Sequence, residues 1–255
     1  MIFFLFVSLA GFSSIYADRC ATVPPSLWCS SKELAKECGF ANLCNRYHTA
    51  TYNQRINITL LIEALCPDCQ RFIVEDLYPK IYKNFAGFVN IEFIPYGNAK
   101  IVNGSIECQH GAEECSINRF ESCVIDSVGT QEQYVPLIYC LENNLMSKVP
   151  FDKASSKCFR TLSIGEDIQR MIQSCLVSRL GERLQQKAAE RTANVWPDKH
   201  RHVPWVVING ISLESEQMIM DQLQFLICEW YTGDKKIPYC QSEEKKKYKK
   251  WSLNI

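Results

Sequence analysis

The stretch Ile56-Asn57-Ile58-Thr59-Leu60-Leu61-Ile62-Glu63-Ala64-Leu65-Cys66-Pro67-Asp68-Cys69 decides the fold. Its first ten residues are apolar and rich in β-branched side chains, and read as a central strand. The strand runs straight into a Cys-x-x-Cys pair. Beyond it Phe72, Ile73, Leu77 and Ile81 recur at helical spacing, and Pro79 is expected to kink or end that helix. Pro67 suits the first helical position, where its missing N–H removes no helix bond. Cys66 then stands just before the helix, where unpaired N–H groups and the positive end of the dipole favour a thiolate. Cys66 is expected to be exposed and nucleophilic, and Cys69, one turn in, shielded and resolving. Asp68, between them, opposes the dipole and is expected to disfavour the thiolate.

Outward from this point, Phe88 to Pro95 alternates as a second strand, and Asn103-Gly104 predicts a hairpin turn. From about Gly111 to Asn194 the pattern is helical. Strand signals return at Val203 to Leu213, with a second turn at Asn209-Gly210 that predicts a tight hairpin. A helix over Ser215 to Trp230 is expected to turn Met218, Leu223, Leu226 and Ile227 to the core. A strand, Cys-x-x-Cys, helix, strand, helical stretch, Val-Pro, hairpin and helix, in that order, predict an α/β thioredoxin-like fold with a disulfide-rich helical insertion at about 111–195. In such a fold a cis proline lies beside the redox pair. Pro204, after Val203, has that position and is expected to shape a substrate groove.

Cys66 and Cys69 admit two other readings. A zinc site needs a second ligand pair, and the chain has no further Cys-x-x-Cys and no correctly spaced His pair, since His200 and His202 are two apart. The sequence therefore predicts no metal. A purely structural disulfide is the other alternative.

Fourteen cysteines in 255 residues point to an oxidising compartment. The apolar N-terminus, with no charged residue before Asp18, fits a signal peptide over 1–17. No other run approaches membrane-spanning length, so no firm membrane anchor is expected. Asn57-Ile58-Thr59 and Asn103-Gly104-Ser105 are glycosylation sequons, Asn103 the better placed and Asn57 expected to be partly covered. The 28 basic and 28 acidic residues balance, which argues against a nucleic-acid partner. Cys20, Cys29, Cys38 and Cys44 staple a small segment over 18–50 in one of three pairings, with a short helix from Ser30 to Glu37 and a polar linker from His48 to Arg55. Cys108, Cys115, Cys123, Cys140, Cys158 and Cys175 fall in or just before the helical stretch. Cys115 and Cys123 can share one helix face, while Cys108 lies outside that helix. Cys228 and Cys240 flank a turn they can close. A charged tail fills 241–255.

The stretch from Cys108 to Cys123 fits C-Q-H-G-x₂-E-C-x₂-N-x₄-C at every fixed position and resembles the signature of the gamma-interferon-inducible lysosomal thiol reductase family. The resemblance covers about residues 55–240, including Cys66-Pro67-Asp68-Cys69 and Val203-Pro204-Trp205-Val206. The segment from Cys20 to Cys44 resembles a saposin A-type domain. The family implies reduction of disulfides in protein substrates in a lysosomal or extracellular setting, with Cys66 the nucleophile and Cys69 the resolving residue. Pro67 and Asp68 then tune the potential. No cofactor is implied, although an external thiol must re-reduce the pair. His110 is read as a packing or hydrogen-bonding residue, with tuning of the redox pair as the alternative. A catalytically idle binding or host-defence module and a saposin-like lipid-interacting protein are the competing functions. The oligomeric state stays open.

Overall fold

Ile58, Leu60, Leu61 and Ile62 have no exposed surface, so strand β1 (Ile56–Ile62) is buried on both faces over most of its length. That suits the centre of a sheet covered by helices. A computed structural model describes residues 20–23 and 27–243; the expected leader and most of the charged tail lie outside the described residues. The N-terminal segment carries α1 (Lys32–Glu37), started by the Ser31 side chain, and α2 (Ala41–Thr51). Cys20–Cys38 and Cys29–Cys44 are its disulfides. The expected polar linker is instead helical as far as Thr51, because Tyr47 and Thr51 hydrogen-bond to Trp230 and Thr232 and tie the helix to the C-terminal region.

After β1 the chain enters α3 (Pro67–Arg71), which continues as a π-helical stretch over Phe72–Tyr82 and a last turn at Lys83–Phe85. The helix continues through Pro79, so of the expected kink or end, the end does not occur. The wider π turn accommodates the proline ring and its missing N–H while Ile73, Leu77 and Ile81 stay buried. Strand β2 (Val89–Pro95) then pairs with β1 in parallel register, Ile56 opposite Val89. Its outer edge is covered, since Gln131 Oε1 accepts the Ile91 N–H at 2.9 Å. A two-stranded hairpin, β3 (Lys100–Val102) and β4 (Ser105–Glu107), follows around Asn103-Gly104, both of which have positive φ.

Five helices form the expected insertion: α4 (Ala112–Val128), α5 (Gln131–Met146), α6 (Phe151–Thr161), α7 (Glu166–Leu176) and α8 (Arg179–Ala193). Gly129, at φ 71°, ends α4 and lets the chain reverse into α5. Ile117, Phe120, Val124, Leu137, Leu141 and Ile172 form a second core, crossed by the Cys123–Cys175 and Cys140–Cys158 disulfides. Strand β5 (Trp205–Ile208) returns antiparallel on the other side of β1, giving the order β2-β1-β5. Asn209-Gly210 makes the expected turn. The returning arm pairs with β5 through only one bridge, Ile208 to Ile211, because Ser212 bridges to Pro197 and bonds to Trp196, Asp198 and the Trp205 ring instead. The expected helix from Ser215 is broken into α9 (Glu214–Gln217), a 3₁₀ turn at Met220–Gln222 and α10 (Leu223–Trp230). The break leaves Met218 84% exposed instead of buried, while Leu223, Leu226 and Ile227 face the core as expected. Cys228–Cys240 closes the turn after α10.

A buried polar contact ties the insertion to the sheet, and a buried carboxyl pair lies within the insertion itself. Asn118 Oδ1 accepts the N–H of Ala64, just beyond β1, at 2.9 Å. Glu121 and Glu142 face each other from α4 and α5 with no exposed surface and no well-aligned hydrogen bond to either carboxyl. Burial pushes both carboxyls up, and each ionised partner would repel the other.

The folded chain therefore holds protons on these two groups at pH values where the unfolded chain has lost them. Their contribution to stability is complete below the ordinary carboxyl range and is lost as pH rises through the elevated folded values. Denaturant unfolding should give roughly 2–4 kcal/mol more stability from this pair at pH 5 than at pH 7.5. Glu142→Gln should flatten that dependence, and an unaltered slope would count against the assignment. Asn118→Ala leaves the Ala64 N–H buried without its acceptor and should cost about 1–3 kcal/mol in the same measurement; a loss below the error of the method would show the bond to be dispensable.

Candidate active site

The turn from Glu63 to Cys69 puts two free thiols at the start of a helix. Cys66 is the N-cap of α3 and Pro67 its first residue; the Cys66 Sγ accepts the Cys69 N–H at 3.4 Å. Cys66 and Cys69 are the free cysteines; the other twelve form six disulfides. The Cys69 thiol and the backbone N–H groups of Cys69 and Asp68 lower the Cys66 thiol to about 7, against burial and the nearby Glu63 carboxylate. Burial pushes the Cys69 thiol far up, and its contact with Cys66 adds to this. The two sulfurs are thus sharply unequal, and Cys66 is the one that ionises near neutrality.

The Val203–Pro204 peptide bond is cis and lies against this pair, with Cys66 Sγ 3.7 Å from the Val203 carbonyl. This contact corrects one expectation. Cys66 is not open to solvent but only 7% exposed, because the Val203 segment covers it. A groove of about 350 Å³ begins beside it, walled by Arg71, Phe72, His202, Pro204, Gln217 and Met220. Asp68 also lines the groove, but its carboxylate pairs with Arg71 on the exposed face of α3. The cation offsets the field that was expected to oppose the Cys66 thiolate, and it is the Asp68 N–H that reaches the sulfur. A second cis bond, Trp196–Pro197, carried no sequence signal that singled it out.

The stretch Cys108–Cys123 wraps the turn that carries the thiols. Cys108 pairs with Cys115. Gln109 Oε1 accepts from Asn98 Nδ2 at 2.7 Å, and the Asn98 N–H donates to Glu63 Oε2 at 2.8 Å. His110 Nδ1 lies 2.5 Å from Glu114 Oε2 and 3.7 Å from Glu63 Oε1. Sequence reasoning missed Glu63 and Glu114; the i, i+4 spacing of His110 and Glu114 at the start of α4 was the available signal. Glu63, His110 and Glu114 are also the group among the described residues whose donor atoms gather closely enough, within 4.8 Å, to hold a metal ion. Asn57 is exposed at the sheet end, contrary to the expected cover, and Asn103 is exposed at the β3–β4 turn. An apolar cleft of about 340 Å³ between α2 and the Ile208–Leu213 turn lies at the other end of β5 and contains no free thiol.

Residues 57–162 match the family model described as gamma interferon inducible lysosomal thiol reductase. A goldfish (Carassius auratus) protein named gamma-interferon-inducible lysosomal thiol reductase is 29% identical over 259 residues, covering 100% of this chain and 97% of its own length. The mouse (Mus musculus) protein of that name is 29% identical over 191 residues, 73% of this chain and 72% of its own. An Arabidopsis thaliana gamma-interferon-responsive lysosomal thiol protein is 30% identical over 206 residues, 79% of this chain and 83% of its own. The match spans both free thiols and the full Cys108–Cys123 signature, and with the coverage of these relatives it shows that the chain belongs to the gamma-interferon-inducible lysosomal thiol reductase family.

Proposed function

We propose that the protein is a thiol–disulfide oxidoreductase that reduces disulfide bonds in protein substrates through Cys66 and Cys69. The observation that carries this reading is the inequality of the two sulfurs: Cys66 is lowered to about 7 at a helix start, while Cys69 is buried beside it. The Cys66 thiolate attacks a substrate disulfide, forming a mixed disulfide and releasing one substrate thiolate. Cys69 then gives up its proton, which the released thiolate can accept, and attacks Cys66 Sγ. The second substrate thiolate leaves. The substrate gains two electrons, the enzyme holds a Cys66–Cys69 disulfide, and an external thiol restores the dithiol. No cofactor is needed for this exchange.

The groove bounded by Val203 and the cis Pro204 is the proposed seat of the substrate chain, with an extended peptide passing over the sulfur. The limited exposure of Cys66 favours unfolded or flexible substrates, whose disulfides can enter a narrow opening. The parallel β1–β2 pair, the antiparallel β5 and the Cys-x-x-Cys helix support a thioredoxin-like arrangement for residues 55–240, and the doubly bridged segment before it supports a saposin A-type-like unit. Six disulfides and relatives named as lysosomal support a secretory, lysosomal or secreted location, with glycans at Asn57 and Asn103. No helix among the described residues is long and apolar enough to cross a membrane.

The test is turnover on a denatured disulfide protein such as insulin. Cys66→Ser should lower the rate by at least a hundredfold, and Cys69→Ser should accumulate a covalent enzyme–substrate adduct that dithiothreitol releases. Full activity in Cys66→Ser would refute the assignment.

A further inference from the structure

Glu63 sits in the turn between β1 and Cys66, and its backbone carbonyl accepts the Cys66 N–H at 3.3 Å. The residue is 1% exposed. Its Oε2 is held by the Asn98 N–H, but Oε1 has no hydrogen-bond partner and points toward His110. The neighbouring turn is built around this carboxyl: Gly97 has φ +60°, and a Cβ there would fall 2.3 Å from Glu63 Oε2. Glu114 is fully buried and binds His110 twice, accepting the backbone N–H at 3.1 Å as well as facing the ring. A lone structural ion pair would not need Glu63 as a second buried carboxyl beside the same imidazole, in the turn that leads to Cys66.

We propose that Glu63, His110 and Glu114 form a charge cluster that governs how readily Cys66 ionises, so that the signature stretch serves the thiol chemistry as well as stapling the fold. This rests on Cys66 being the nucleophile. Burial opposes the charge on His110, but Glu114 and Glu63 outweigh it and hold the imidazolium above its usual range. Burial, reinforced by Glu114, raises Glu63. An ionised Glu63 opposes the Cys66 thiolate, and a protonated Glu63 does not. Acidification therefore removes a charge that opposes the thiolate, and preserves reactivity where an isolated thiol would lose it.

The other charged groups around the pair do not reproduce this behaviour. Asp68 is paired with Arg71 on the exposed face of α3. Cys69 and Glu142 stay protonated through burial. On the Pro204 side, burial and His202 lower His200, which lies near Gly97, and His202 itself packs edge-on to Trp205.

The test follows Cys66 alkylation by iodoacetamide against pH in the full reduced chain, read by peptide mass spectrometry with the six disulfides verified intact. Glu63→Gln should lower the pH midpoint by about half to one unit, and His110→Gln should raise it by a similar amount. His110→Lys, which keeps the cation, should restore most of the wild-type profile even if the cavity is disturbed. Midpoints that stay at the wild-type value, or that move the same way in the Gln variants, would overturn the proposal. If Cys66→Ser is inactive while these midpoints stay fixed, only the cluster's role falls; if Cys66→Ser remains active, the nucleophile assignment falls first.

Discussion

The Cys69 N–H reaches the Cys66 sulfur at 3.4 Å, and this contact can exist only while the chain turns sharply from β1 into α3. Such a bond is weak for a neutral thiol and stronger for an anion, so it favours the ionised form. Pro67 helps hold the turn by starting the helix without a wasted donor. The Asn118 side chain fixes the backbone at Ala64, and Gln70 does so from the other side by donating to the Ala64 carbonyl at 2.8 Å. The turn that carries Cys66 and Cys69 is thus clamped on both its strand and its helix side, by groups from separate parts of the chain.

This explains why the stretch Cys108–Cys123 has its particular composition. Each fixed residue meets a need at the turn or in the insertion. Cys108 and Cys115 close the approach to α4, Gln109 holds Asn98, and His110 faces Glu63 while Glu114 holds His110. Gly111 takes φ 90°, a conformation that L side chains rarely adopt, where the loop enters α4. Asn118 holds Ala64, and Cys123 is bridged to Cys175 in the second core. Packing and chemistry are therefore not separable in this segment: the helices that bury the second core also deliver the groups around the sulfurs.

Much of this could be read from residue order. The buried run before Cys66, the proline at the first helical position and the turn pairs Asn103-Gly104 and Asn209-Gly210 are local signals, and local physics decided them. The cis bond at Pro204 followed from its place relative to the Cys66-x-x-Cys69 turn. What escaped was non-local. The exposure of Cys66 depends on Val203, 137 residues away in sequence. The roles of Glu63 and Glu114 depend on a loop and a helix meeting behind the sulfurs, and isolated acidic residues give no sign of that. Met218 lay on an apolar periodicity that the 3₁₀ turn interrupts, and Pro79 carried a breaker signal that a π turn absorbs.

Several buried carboxyls, Glu63, Glu121, Glu142 and Glu216, are pushed upward chiefly by burial. One inequality, between the neighbouring sulfurs of Cys66 and Cys69, decides which of them ionises first. Limited alkylation of the reduced wild-type chain at pH 6, mapped cysteine by cysteine, tests it most directly. Label should accumulate on Cys66 in large excess over Cys69, with the twelve bridged cysteines unlabelled. Equal labelling of Cys66 and Cys69, or preferential labelling of Cys69, would contradict it.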